Sequence, residues 1–141
     1  MRFQAINRGD PEKVFITVKN TYSTAAITVG QPVVFDYVTD ADGVSVTQGV
    51  TATLKLSAGI VETASIAAGD YGLVQVYGHN ANALVDGTTG ISVGAALKIK
   101  TGTFTLDAAG TTATGAAYIF TAGVAYTTGA AAAKKVFIRA L

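Results

Sequence analysis

At 141 residues the chain has the length of one domain, since ~100–200 residues per domain is usual, and a second independent core is not expected. Ten basic against nine acidic side chains, with no Lys/Arg cluster beyond Lys134 and Lys135, give no electrostatic footprint for nucleic acid. The lack of cysteine excludes a disulfide framework, thiolate chemistry and a cysteine-based zinc site, so no cofactor or metal is expected.

Hydrophobic residues make up 50% of the chain and charged residues only 13%, against roughly 25% charged in an ordinary soluble domain. A folded protein of this mass exposes on the order of 6,800 Å², so much of the surface must be neutral Ala, Gly and Thr. Solubility normally leans on mixed charge and a net charge away from zero, and here the net is +1. Either part of the surface is buried against copies of itself or a larger partner, or this is an ordinary neutral β-domain. The first eight residues hold no apolar signal region, so synthesis in a cytoplasm is expected. The uncharged run between Asp107 and Lys134 is broken by Gly110, Gly115, Gly123 and Gly129 and by six threonines, which argues against a membrane span and for hairpin sequence.

Residues 1–12 have weak periodicity and a turn at Gly9 to Pro11, and read as an extended N-terminal arm or edge strand ahead of a single β domain over 13–141. Residues 13–19 alternate, with Val14, Ile16 and Val18 on one face and Phe15, Thr17 and Lys19 on the other. A short strand over 25–29 follows, then Pro32 opens an apolar strand interrupted by Asp36. Asp40 to Gly43 is a tight turn before Val44 to Val46, and the alternation of Ala52, Leu54 and Leu56 predicts a further half-buried strand over 50–56.

Gly69, Asp70 and Gly72 introduce a β-branched and aromatic run that Gly78 and the cluster Asn80 to Asn82 are expected to close, with Ala83 to Val85 as a separate piece. After a turn at Gly87 to Gly90, residues 95–100 alternate and pair with 103–106 across Thr101 and Gly102. A second hairpin is predicted with Thr121 to Gly123 as its turn, and residues 134–141 form a last strand. Residues 130–135 contain good helix formers, but so short a stretch is marginal as a helix. With turn signals every eight to twelve residues or so, the class is all-β, a compact β-barrel or β-sandwich.

Chemical motifs are weak. Residues 90–94 match Gly-x-Ser-x-Gly, but a strand pattern follows where a helix is needed, and the lone His79 precedes Ser92 where a catalytic histidine should follow it. Asp40 and Asp42 lack the first and twelfth ligands of a calcium loop, whose places are taken by Val38 and Gly49. Arg8, Gly9 and Asp10 spell a receptor tripeptide that is read as a turn. His79 has no second His or Cys for a metal site and reads as a loop or interface polar residue, while Asp36 reads as a hydrogen-bonded or edge-strand carboxylate. The tyrosines suit an interface or a sugar-binding face. The expectation is a protein that is not an enzyme.

The glycine-flanked strand over 69–78, the strand with Val93, Gly94 and Leu97 over 91–99 and the alternating C-terminal strand over 136–141 resemble the small capsid decoration (cement) proteins of tailed bacteriophages. The resemblance covers roughly the second half of the chain. It implies a structural virion protein on the outer capsid surface, made in the host cytoplasm, that bridges neighbouring major capsid subunits by interfacial burial and by strand addition from an N-terminal arm. It also implies a homo-oligomer, a trimer ahead of a dimer. The capsid-contact candidates are then Arg2, Phe3, Gln4, Ile6 and Arg8, and the interface candidates Tyr71, Tyr77 and His79. The alternative is a carbohydrate- or receptor-binding β-sandwich module of a virion or cell surface.

Overall fold

A computed structural model of the chain describes residues 11–86, 90–109, 119–127 and 129–140. The arm candidates Arg2, Phe3, Gln4, Ile6 and Arg8, the Arg-Gly-Asp tripeptide and most of the predicted turn at Gly87 to Gly90 lie outside these residues. The class is all-β, as expected. The strands in order are β1 (Lys13–Asn20), β2 (Ile27–Thr28), β3 (Pro32–Phe35), β4 (Ser45–Thr47), β5 (Ser57–Val61), β6 (Ser65–Ile66), β7 (Tyr71–Val85), β8 (Ala96–Ile99), β9 (Leu106–Ala108), β10 (Phe120–Ala122) and β11 (Ala132–Arg139). A 3-10 turn, Leu54–Leu56, precedes β5.

The pairings close two rings of five strands that share β7. One runs β1-β4-β3-β5-β7 and back to β1; the other runs β7-β11-β10-β8-β9 and back to β7. Closure matters because an open sheet leaves unpaired backbone groups along both edges. Each ring encloses its own apolar cluster. Val18, Val33, Val46, Ala58, Val61, Val74 and Val76 fill the first, joined by Ile27 and Ile66 from the small β2–β6 sheet. Ala83, Val85, Leu97, Ile99, Leu106, Phe120, Val136 and Ile138 fill the second.

Val34 and Ile60 belong to the second core although their neighbours Val33 and Val61 belong to the first. Strands β3 and β5 are therefore walled on both faces. That is why their sequences are nearly continuous apolar runs with no alternation.

Strand β7 is 15 residues long, about 50 Å at ~3.3 Å per residue. Its first part pairs with β1 and β5 and its last part with β11 and β9. Two bulges break its register. Val76 is an extra residue between the pairs Val14↔Tyr77 and Phe15↔Gln75, and Ala81 with Asn82 opposes the single Lys135 between Lys134↔Ala83 and Val136↔Asn80. A bulge bends a strand and raises its local twist, which suits one strand to two barrels.

A buried amide pair accompanies the bulges, Gln75 directly before the first and Asn80 directly before the second. Gln75 is 0% and Asn80 1% exposed. Asn80 Nδ2 donates to Gln75 Oε1 at 2.9 Å, and Gln75 Nε2 donates to the carbonyls of Tyr77 and His79 at 3.0 and 3.2 Å. Asn80 Oδ1 accepts the N–H of Asn82 at 2.8 Å. Gly78, with φ +101°, lies where β1 comes closest, and any Cβ there would strike the carbonyl of Glu12. A side chain would be both strained and blocked at this position.

Four sequence expectations are corrected. Gly78 and the asparagines do not close the central strand, because Gln75 and Asn80 satisfy the backbone where the ladder is broken, so β7 runs on through Ala83 to Val85. The strand predicted over 50–56 is a turn and the 3-10 segment, since Thr53 Oγ1 bonds both the N–H and the carbonyl of Val50 and curls the chain. The real strand is β5, whose two-sided burial hides it from an alternation test. Thr121 and Ala122 are strand rather than turn, because β10 is flanked by both β8 and β11. The alanine stretch, marginal as a helix from its length, is extended from Ala132 on and paired to β7, in keeping with the last strand expected there. The hairpin after residue 95 forms, but its second strand is β9 (Leu106–Ala108) and not residues 103–106, with Ile99 opposite Leu106 and residues 100–105 as the connection.

Substituting Asn80→Ala leaves Gln75 Oε1 buried without its donor and is expected to cost about 2 kcal/mol, within the ~1–3 kcal/mol typical of an orphaned buried polar group. Urea denaturation measures it. In a double-mutant cycle with Gln75→Ala the two losses should be less than additive, and strict additivity would show that the amides act independently.

Candidate functional site

Three segments that are far apart in sequence meet beside the short strand β4 and enclose a cleft of about 330 Å³. Thr21, Tyr22, Ser23 and Thr24 come from the end of β1, Asp36, Val38 and Thr39 from the end of β3, and Thr47, Gln48, Val50 and Thr53 from β4 and the chain beyond it. The walls are pinned. Asn20, fully buried, accepts the N–H of Tyr22 at 2.8 Å and donates to the Ile66 carbonyl at 2.8 Å. The Tyr22 ring meets Phe104 edge-on at 5.0 Å, and the N–H of Gly102 donates to the Gly49 carbonyl at 2.9 Å. Phe104 and Gly102 belong to the loop between β8 and β9, so the cleft sits where the two barrels are clamped together.

Asp36 is 5% exposed. Its Oδ2 accepts from Thr21 Oγ1 at 2.7 Å, and its Oδ1 from the N–H groups of Val38 and Thr39 at 3.1 and 3.0 Å. Burial pushes this carboxyl up, but the hydrogen bonds from Thr21, Thr39 and Val38 together outweigh it and hold it below the usual carboxylate range. The hydrogen-bonded reading of Asp36 is the correct one. Its acceptor capacity is spent on the loop, which makes it a brace and not a general base.

The three interface candidates divide. Tyr71 is 63% exposed, opposite Lys19, with Leu73 (45% exposed) opposite Thr17 and with Phe15 (39% exposed) nearby on β1. Tyr77 packs edge-on to Phe137 at 5.8 Å, and the Arg139 guanidinium lies over the Phe137 ring at 5.3 Å. His79 is half-buried opposite Phe137, inside a strand and not in a loop. Tyr77 and His79 thus share the β7–β11 ladder, while Tyr71 stands about 20 Å along the strand at ~3.3 Å per residue.

Ser92 lies in a turn that its own carbonyl closes with the N–H of Ala95 at 3.1 Å, feeding strand β8 and no helix. Asp42 Oδ1 accepts the N–H groups of Val44 and Ser45 at 2.8 Å each, and those bonds, Ser45's first, lower its pKa. Asp42 is therefore committed to the turn. Among the described residues, no three His, Asp or Glu side chains come together as a metal site would need. The cleft residues were not singled out by sequence, because their spacing within each segment carries no motif.

Replacing Asp36→Asn should destabilise the fold by about 1 kcal/mol at neutral pH, the scale of one hydrogen bond, since the amide keeps one acceptor oxygen for the loop. Because the folded pKa is depressed, the carboxylate's contribution is present above the unfolded pKa of ~3.9 and lost as pH falls through the folded value. Thermal melts of the parent and the variant should therefore converge once the pH has fallen below the depressed folded pKa. A gap that persists in acid would assign the loss to packing.

No protein-family model matches the sequence, and no curated protein matches it. The fold is similar to that of a solved structure, the head fiber gp8.5 N base in bacteriophage phi29, with a TM-score of 0.53 and 15% sequence identity over 92% of this chain and 96% of that chain. At this identity the likeness is one of fold, and it extends over nearly the whole length of both chains.

Proposed function

We propose that the protein is a structural component of a bacteriophage virion, a β-domain that seats on the outer surface of the head and binds the major capsid protein. The observation that carries this reading is the fold likeness to the phi29 head fiber base over 92% of the chain. Sparse charge supports it independently, since 13% charged residues leave a neutral surface suited to burial. The mechanism is interfacial burial with no turnover, bridging neighbouring capsid subunits as a decoration protein does.

Two parts of the chain are assigned to the contact. Residues 1–12, with Arg2, Phe3, Gln4, Ile6 and Arg8 as contacts, lead directly into β1. The outward row of Phe15, Tyr71 and Leu73 offers exposed apolar side chains along the β1–β7 ladder that the arm leads into, with Tyr71 opposite Lys19 at the end of β1 away from the arm. Tyr77 and His79, opposite Arg139 and Phe137 on β11, are assigned to contacts between copies of the chain, a trimer ahead of a dimer.

Co-sedimentation with purified capsid shells tests the reading: the protein should pellet with shells and stay in solution without them. Deleting residues 1–12, or combining Tyr71→Ser with Leu73→Ser, should weaken that binding at least tenfold, a loss of about 1.4 kcal/mol. Protein that remains in the supernatant with shells would remove the virion reading. Sedimentation velocity of the free chain should report an oligomer, and a monomer there would remove the assignment of Tyr77 and His79.

A further inference from the structure

The cleft beside β4 has a chemistry that the capsid reading does not use. Its lining contains no Lys or Arg, and its one carboxylate, Asp36, is already saturated by Thr21 and two backbone N–H groups. Phosphate and carboxylate ligands would therefore find no counter-charge, and a metal ion would find no free carboxylate. A purely apolar ligand would have to desolvate a wall of hydroxyls. What remains available is uncharged: the Gln48 carboxamide, the hydroxyls of Thr47, Ser23 and Tyr22, and the exposed methyl groups of Val50 (47% exposed) and Val38 (82% exposed).

We propose that this cleft binds an uncharged saccharide unit. A sugar ring presents hydroxyls that both donate and accept, next to C–H faces that are apolar, and the cleft offers both kinds of surface in one place. A carboxamide donates and accepts in a single plane, so Gln48 suits a pair of adjacent sugar hydroxyls. The tyrosine ring and the valine methyls suit the C–H face. At about 330 Å³ the cleft is at the small end of the ~300–1,000 Å³ of small-ligand pockets, which limits it to one or two rings and to weak, single-site binding.

Preorganisation separates this cleft from an ordinary polar crevice. Asn20 fixes the first wall through Tyr22, Asp36 fixes the second through Thr21, and Thr53 fixes the third through Val50. The Tyr22–Phe104 contact backs it with the second barrel. A ligand thus meets a cleft whose main chain is already held in place by the fold. Binding of this kind would let a protein anchored elsewhere touch a glycan, and it does not depend on what the anchor is.

The test is a titration of the isotopically labelled full-length protein with methyl α-D-glucopyranoside, methyl β-D-galactopyranoside and N-acetylglucosamine, read by amide chemical shifts. At least one sugar should give saturable shifts centred on Tyr22, Gln48 and their neighbours. Gln48→Ala should weaken that sugar about tenfold, the loss of one well-placed hydrogen bond, with unchanged shifts elsewhere showing that it is folded. Val93→Ala, on an exposed site outside the cleft, should titrate like the parent. Absence of cleft shifts with all three sugars, Gln48→Ala binding like the parent, or cleft shifts produced equally by inorganic phosphate would each overturn the proposal. Capsid co-sedimentation is read on other residues, so either result can fail without the other.

Discussion

A strand of about 50 Å cannot be spent inside one small barrel, whose strands are typically ~5–6 residues long. Strand β7 resolves this by serving two. Everything else in the molecule follows from that sharing: β1, β5, β11 and β9 are all placed by pairing with β7, and β3, β4, β8 and β10 complete the rings those partners begin. The point of transfer is where trouble would be expected, since bulges free backbone groups in a region sealed from water. Gln75 and Asn80 answer with side-chain amides that take up main-chain groups of the same strand.

The same sharing decides the surfaces. Because the second barrel covers the outer faces of β3 and β5, that side of the first barrel is lost to solvent, and Val34 and Ile60 pack in the second core. The faces that stay open on the first barrel are the β1–β7 ladder, with Phe15, Tyr71 and Leu73, and the loops beside β4. The proposed capsid-facing row and the proposed saccharide cleft fall on those open faces. One is an apolar row and the other a polar cleft, so they call for different partners.

How much of this could be read in advance varied with the kind of signal. The alternation of Val14, Ile16 and Val18 against Phe15, Thr17 and Lys19 is visible because β1 has one wet and one dry face, and it recurs in the burial of the folded strand. Strand β5 escaped because its residues are dry on both sides and Gly59 interrupts the period, while residues 50–56 mimicked alternation without being a strand. Of the site residues, Asp36 stood out as a charge in an apolar run, and its role as a hydrogen-bonded brace follows from that. Thr21, Gln48 and Thr53 had no such contrast with their neighbours.

Local chemistry along the chain therefore decided the class of fold, the places where glycine and aspartate turn it, the importance of the segment from Gly69 to His79 and the poverty of surface charge. These are properties of a few consecutive residues, and short-range sterics and solvation write them directly into composition and spacing. Long-range pairing decided the rest: that the strand after Gly69 passes on to Val85, that two rings close on it, and that three loops meet in a cleft. Those outcomes depend on which distant segments cover which face, and a single residue reads the same whether its second face meets water or another strand.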